Sequence, residues 1–400
     1  MSQETLSPKI ITQKSESDGS FLTNKGPEGL HFDFNDGCRL SLPPGDWHVT
    51  LRDMDTKSVL FSSPVAQGVV QSAKRYYLKF EIEIKKNGKL IFSHEMNLEG
   101  RPVLIRMRQG GIGDHLAWLG HVAEFQRRHK CALTCVIRPD LLELLQTEYP
   151  DIRLVSSDEE AGGGYYASYN VLIFYNDSEK NHTPIDYRAV GLEKNAALIL
   201  GLPIISRRPT VKIQEGGRPV AEPYVCIATQ ATSQAKYWNN PVAWRAVIQF
   251  LKKSGYRVFC IDRERVNGRG TIWNYLPHGV EDLTGPAPLS ERARWLKHAD
   301  FFIGLSSGLS WLAWASETPV VMISGFTAPY NEFETPYRIL NWNVCNGCSN
   351  DVRCQLDVTD FFWCPRLGNT DRRFECTRGI SPNQVIETIK TIPEFRKATS

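Results

Sequence analysis

Between Gly29 and Glu99 apolar and polar residues alternate, the two-residue period of strands with one face turned to a core. Leu30 to Phe34 alternates, Asn35-Asp36-Gly37 reads as a turn, and Trp47 to Arg52 alternates again. Tyr76 to Ile84 and Lys89 to Phe92 repeat the pattern around Asn87-Gly88, a dipeptide that tolerates the positive φ of a tight hairpin. The pattern predicts a small N-terminal β-domain over 29–100, a barrel or sandwich of about six short strands. Nothing in it suggests chemistry, which leaves binding or assembly as its role.

At Arg101 the rhythm changes to strand, loop, helix. Pro102 to Arg106 is a short apolar strand, a Gly-rich loop follows, and Asp114 to His129 has the helical period. Cys131 to Arg138 predicts a strand, Leu141 to Glu148 a helix and Val171 to Tyr175 another strand. Ala161 to Tyr166 reads as a flexible loop or hairpin over the cleft, and Asn195 to Gly201 ends the unit. Gly216, Gly217, Pro219 and Pro223 mark a linker. A second series follows: strands at Tyr224–Ala228, Arg257–Ile261, Phe301–Ile303 and Val320–Ile323, with helices at Ala243–Ser254, Ser290–His298 and Leu309–Ala315. Such alternation predicts parallel sheets covered by helices, so the fold class is α/β with two doubly wound units over 101–215 and 216–340. Their strand C-termini share one cleft, where open α/β sheets bind ligands. A final segment, 341–400, holds a cysteine cluster and a helix at Pro382–Thr391 expected to pack back on the first α/β unit.

Composition narrows this picture. The chain has 400 residues and a net charge of +3, which gives no case for nucleic acid as a partner. Met1 to Lys25 is polar and lacks an apolar h-region, so 1–28 is expected to be a disordered tail and not a signal peptide. No apolar run approaches the roughly 20 residues that span a bilayer. A cytoplasmic protein is expected, and there ten cysteines stay reduced. Cys38, Cys131, Cys135, Cys226 and Cys260 read as core residues. Cys345, Cys348, Cys354, Cys364 and Cys376 crowd into one stretch and need another explanation.

Three loops in strand-end positions hold polar chemistry. Arg108-Gln109-Gly110-Gly111-Ile112-Gly113-Asp114 permits close backbone approach at a helix N-terminus, though it is neither a dinucleotide fingerprint nor a P-loop. Asp114 has two readings, a helix cap or a carboxylate that takes a proton from an acceptor hydroxyl. Thr229 to Trp238 carries hydroxyls, amides and Lys236, which can neutralise a diphosphate leaving group or simply be solvated. Gly304 to Trp311, with its small residues, suits a phosphate on a helix N-terminus.

The run D-L-T-G-x-x-x-L at Asp282 to Leu289 and the stretch from Ala299 to Ala315 resemble ADP-heptose-dependent glycosyltransferases. With G-D-H-L-A-W at Gly113 to Trp118, A-K-Y-W-N-N at Ala235 to Asn240 and the terminal cysteines, the chain resembles the bacterial autotransporter heptosyltransferase family from about Gly29 to Ile392. The resemblance implies a GT-B fold, an ADP-heptose donor and transfer to serines of an autotransporter adhesin passenger. It implies Asp114 as general base and Lys236 at the donor diphosphate, with Thr229 and Gln230 beside it. Ser306, Ser307, Gly308, Leu309 and Ser310 would hold diphosphate and sugar, with Thr284 and Gly285 as further donor contacts and Asp262 on the adenosine ribose. Lipopolysaccharide-core heptosyltransferases usually show D-[ST]-G-x-x-H in the third loop. Ser306, Ser307, Gly308 and Trp311 stand there instead, which favours the protein-modifying group.

Cys345-Asn346-Gly347-Cys348 is a C-x₂-C pair, and Cys364 and Cys376 follow at wider spacing. Four thiolates suit one tetrahedral zinc or iron ion, and spacing does not choose between them. The resemblance implies iron, one ion per chain, with zinc as the alternative; Cys354 reads as a bystander. A saturated four-thiolate site is structural, since no position is open to substrate. Phe361-Phe362-Trp363 and Trp342 are apolar enough for an interface, and the resemblance implies a large homo-oligomer, up to a dodecamer. Two rival readings are a lipopolysaccharide-core heptosyltransferase, separated by its acceptor, and a non-catalytic sugar-nucleotide adaptor, separated by the absence of ADP release.

Overall fold

Tyr224–Ile227, Phe301–Leu305 and Val320–Ile323 are buried at every residue, as strands covered on both faces must be. They form the middle of a six-stranded parallel sheet ordered Glu281–Asp282, Arg257–Cys260, Tyr224–Ile227, Phe301–Leu305, Val320–Ile323, Arg338–Ile339. The first α/β unit has the parallel strands Ile152–Val155, Ala132–Val136, Pro102–Arg106 and Ala167–Asn170 in that order. The computed structural model that shows this describes residues 22–395.

The N-terminal β-region is present but is not a separate barrel or sandwich. Ala167–Asn170 also pairs in parallel with His31–Asn35, so this strand with Arg39–Leu42, Gly68–Gln71 and the short Asn24–Lys25 extends the α/β sheet to eight strands. The other strands, Val59–Val65, Trp47–Asp53, Phe80–Lys86 and Lys89–Glu95, form an antiparallel sheet whose Trp47, Leu51, Ile82 and Ile84 share a core with Phe34 and Tyr166. Alternation specifies which face a strand buries, not which distant strand it joins. The hairpin at Asn87-Gly88 forms as predicted, with φ of 50° and 78°.

Other expectations are corrected. The tail expectation over 1–21 lies outside the described residues, but 22–28 is ordered: Asn24–Lys25 pairs with His31–Asn35, and Thr23 Oγ1 donates to Tyr165 O at 2.9 Å. Ala161 to Tyr166 does not overhang the cleft, because Tyr165 and Tyr166 are buried and Tyr166 Oη reaches His94 Nε2 at 2.8 Å. The strand expected at Val171–Tyr175 runs instead over Ala167–Asn170, and the residues after it leave the sheet as a loop. The last helix, Pro382–Ile389, packs on Ala243–Lys253 and Val320–Ile323 of the second unit, where Val385, Ile389 and Ile392 complete its core.

The two α/β units meet where helix Ile112–His129 packs on helix Gly308–Ala315. Trp311 lies against Gly113 so closely that a Cβ there would come within 2.6 Å of Trp311 Cδ1. Trp311 cannot give way, being wedged edge-on against Trp314 and Phe333. Gly113→Ala is therefore expected to lower stability by about 1–3 kcal/mol through overpacking, read as a lower urea midpoint. An unchanged midpoint would contradict this packing.

Candidate active site

The helix Ile112–His129 starts at Gly111, and Asp114 is the residue three positions on. Its Oδ2 accepts the Gly111 N–H at 2.5 Å, so the capping reading of Asp114 is realised. Oδ1 has no hydrogen-bond partner among the described residues, and the side chain is half-buried in the cleft wall. Gly110 makes this possible: its φ is 105°, and a Cβ there would strike Asp114 Oδ2 at 2.9 Å. Asp114 thus caps with one oxygen and offers the other.

Lys236 ends a short 3₁₀ turn, Gln234–Lys236, with its Nζ 5.5 Å from the Phe326 ring centroid. No carboxylate lies within ion-pairing distance of it among the described residues. Asp114 and Lys236 both line two adjoining cavities, one of about 740 Å³ and one of about 360 Å³.

The larger cavity contains Gln230, Asp262, Ser306, Ser307, Gly308 and Leu309. Asp262 is a hub. Its Oδ2 accepts Thr229 N at 2.8 Å and Thr229 Oγ1 at 2.9 Å, and Oδ1 accepts Gln230 N at 3.3 Å. Burial pushes its carboxyl up and these donors pull it back. Thr229 is consequently buried and spent on Asp262. Helix Gly308–Ala315 opens onto this cavity, and its N-cap residue Ser307 makes no side-chain capping bond, which leaves the helix N-terminus open to an anion.

Four expected donor contacts, Thr229 together with Ser310, Thr284 and Gly285, line neither cavity. Ser310 is fully buried with Oγ turned to Leu305 O. Thr284 Oγ1 is bound to Asp282 at 2.6 Å, and Gly285 O accepts from Arg292 Nη2 at 2.5 Å. Arg292 also donates to Asp262 O at 3.2 Å, so this turn braces the hub from behind.

Several residues of the site were not anticipated. Arg138, Arg263 and Arg269 line the larger cavity. Arg269 sits on an unforeseen hairpin, Val266–Arg269 with Ile272–Tyr275, whose polar N-G-R-G-T sequence hides the strand pattern. Glu332 is buried behind the third loop, accepting from Ser306 Oγ and from Asn331 Nδ2 at 3.0 Å and pairing with Arg338 at 2.9 Å. One of two Glu in E-F-E-T-P, Glu332 carries no signal of that in the sequence.

The smaller cavity is walled by Tyr175 and Tyr187 from the first unit and by Leu356, Asp357, Val358, Asp360 and Trp363 from the cysteine segment. Phe361 and Trp363 are buried, Trp363 with Phe326 and Phe374, leaving Trp342 as the exposed member of the aromatic set expected at an interface. All ten cysteines are free thiols, and Cys38, Cys131, Cys135, Cys226 and Cys260 are buried as expected. Within the C-terminal set, burial and the neighbouring Cys345 push the Cys348 thiol up to about 12. Burial, Cys364 and Cys345 do the same for Cys376. Cys345 thus neighbours both Cys348 and Cys376, and Cys364 neighbours Cys376, and four such thiols chemically suit a thiophilic ion. Among the described residues, however, no three Cys, His, Asp or Glu side chains are gathered into a ligand set.

Two parallel-sheet units face across a cleft that joins a carboxylate, a lysine with no ion-pair partner among the described residues and a helix N-terminus. The fold is that of GT-B-like glycosyltransferases. Residues 179–356 match the family model for glycosyltransferase family 9 (heptosyltransferase), and 26–88 match that for the N-terminal domain of glycosyltransferase TibC. The chain is 45% identical to autotransporter heptosyltransferase Aah of Escherichia coli, over 93% of this chain and 95% of that protein. It is 46% identical to autotransporter heptosyltransferase TibC of Escherichia coli, over 91% and 89%. A dodecameric, iron-containing TibC crystallised with ADP-D-β-D-heptose superposes with a TM-score of 0.91 at 44% identity, covering 96% of this chain and all of that one. The chain belongs to the autotransporter heptosyltransferase family. The family also includes BimC of Burkholderia thailandensis, named an inactive autotransporter heptosyltransferase and 42% identical over 93% of this chain and 88% of its own. Overall identity therefore does not separate active from inactive members; the cleft must.

The buried Glu332–Arg338 pair gives the site a stability test. Glu332→Ala leaves a buried guanidinium uncompensated and is expected to cost about 3–5 kcal/mol, seen in urea unfolding. A loss below about 1 kcal/mol, the scale of an exposed pair, would contradict the buried network.

Proposed function

We propose that this protein transfers heptose from ADP-heptose to serine hydroxyls of an autotransporter adhesin. The observation that carries this reading is that Asp114 and Lys236 line both cavities of one cleft. The donor occupies the larger cavity, its diphosphate between Lys236, Arg263, Arg269 and the helix N-terminus at Ser307 and Gly308. The acceptor serine enters the smaller one. Its oxygen forms the new bond to the sugar's anomeric carbon as the bond to ADP breaks, and Asp114 Oδ1 takes the hydroxyl proton. Lys236 offsets the charge gathering on the departing diphosphate. Asp262 acts by shaping the second loop, its carboxylate held by Thr229 and Gln230.

Iron, or zinc in its place, would be held by Cys345, Cys348, Cys364 and Cys376, with Cys354 outside the set. Support comes from the nearness of Cys345 to Cys348 and Cys376, from that of Cys364 to Cys376, and from the iron-containing relative TibC. Bound there, the ion supplies a cross-link of the C-terminal segment. Assembly into a homo-oligomer, up to a dodecamer, is supported by the same relative. Action in the cytoplasm is consistent with ten free thiols, and no helix among the described residues is long and apolar enough to cross a membrane.

Asp114→Asn is expected to lower kcat by about 10²–10⁴-fold with donor affinity retained, and Lys236→Ala by about 10²–10³-fold. Single-turnover assays with purified adhesin passenger check both. Near wild-type rates in Asp114→Asn, or nucleotide binding without acceptor-dependent ADP release in the native protein, would overturn the mechanism. Metal analysis of native protein is expected to find one ion per chain, and Cys345→Ser with Cys376→Ser to lose it together with thermal stability. Unchanged metal content would reject that ligand set.

A further inference from the structure

The two cavities of the cleft differ in charge. Around the larger one Arg138, Lys236, Arg263 and Arg269 stand against Asp114, while its other acids, Asp262 and Glu332, are buried and engaged. Around the smaller one the charged residues are Asp114, Asp357, Asp360 and Lys236, three carboxylates to one cation.

Asp357 and Asp360 come from the loop between Cys354 and Cys364 and make no ion pair among the described residues. The loop is held in place. Asp357 Oδ1 accepts Thr359 N at 2.8 Å and Thr359 Oγ1 at 2.7 Å, and Asp360 Oδ1 accepts Phe362 N at 2.8 Å. Trp363 Nε1 donates to Gln355 O at 3.2 Å. Gln234 N donates to Phe361 O at 2.8 Å, which ties the acidic loop to the turn that carries Lys236. In both aspartates the second carboxylate oxygen remains unengaged among the described residues.

A further feature of the same cavity points to a polar ligand. Tyr187 is 3% exposed, lines the cavity, and its hydroxyl has no hydrogen-bond partner among the described residues. A buried hydroxyl left unsatisfied is costly unless a ligand completes it. Leu356, Val358 and Trp363 stand beside the acids and offer apolar contact to side chains flanking a reacting hydroxyl.

We propose that Asp357 and Asp360 select the acceptor by charge, favouring a polypeptide segment with neutral or basic residues beside the modified hydroxyl and rejecting acidic segments and anionic glycolipids. The inference rests on the function proposed above and specifies its acceptor. Charge at an open rim acts modestly per pair and is screened by salt. The cysteine segment is then a wall of the acceptor site as well as a fold element.

The test uses full-length protein, ADP-heptose and synthetic peptides with one central serine flanked by Lys, by uncharged residues or by Asp. At low salt kcat/KM for the Lys-flanked peptide should exceed that for the Asp-flanked one by roughly tenfold, and the ratio should shrink as salt is added. In Asp357→Asn/Asp360→Asn the ratio should collapse toward one, because Asn keeps the Oδ1 acceptor of each turn and loses the charge. Equal use of the peptides by native protein overturns the proposal even if the variant fails to fold, and so does a ratio that survives in a folded variant. Transfer to a lipid-anchored core oligosaccharide with none to any peptide would overturn the proposed function itself.

Discussion

The approach of helix Ile112–His129 to helix Gly308–Ala315 is the contact on which the site depends. Gly113 lets Trp311 lie on the helix surface, and the residues that flank this pair are the ones given chemistry in the proposed mechanism. Asp114 follows Gly113 directly, and Ser306 to Leu309 precede Trp311. A side chain at Gly113 would separate the units and move the carboxylate away from the third loop. A cleft assembled from two rigid sheets thus has its width set by the absence of one methyl group.

Around that contact, buried acids divide between scaffold and chemistry. Asp262 and Glu332 are enclosed and engaged, one by backbone and hydroxyl donors and the other by Ser306, Asn331 and Arg338. Charges so placed preorganise loops, and removing a partner costs more than the pair contributes. Asp114 differs because one oxygen caps the helix while the other stays free at the cleft. The capping bond fixes the rotamer and therefore the direction in which a proton can be taken. In the proposed mechanism, structure and catalysis are two uses of one carboxylate.

Much of this was legible in the residues. The fully apolar runs at Val103–Ile105, Val225–Ile227 and Phe301–Ile303 announced parallel sheets, and the polar loops after them announced the cleft. Asn87-Gly88 announced its hairpin. Partner choice was not legible: nothing local says that Phe34 pairs beside Ala167, or that Val385 and Ile389 belong to the second core. Arg263, Arg269, Asp357 and Asp360 were missed because isolated charges in polar loops look alike until the fold gathers them. Ser310, Thr284 and Gly285 went the other way, carrying motif-like sequence yet spending their polar atoms on neighbouring backbone and side chains.

The central claim is that this one cleft joins an ADP-sugar to a serine of a protein. Mass spectrometry of an adhesin passenger incubated with the purified protein and ADP-heptose tests it most directly. The expected result is a passenger heavier by whole heptose units, each mapped by fragmentation to a serine, with one ADP released per unit. An unmodified passenger, beside protein shown to bind the nucleotide sugar, would contradict it.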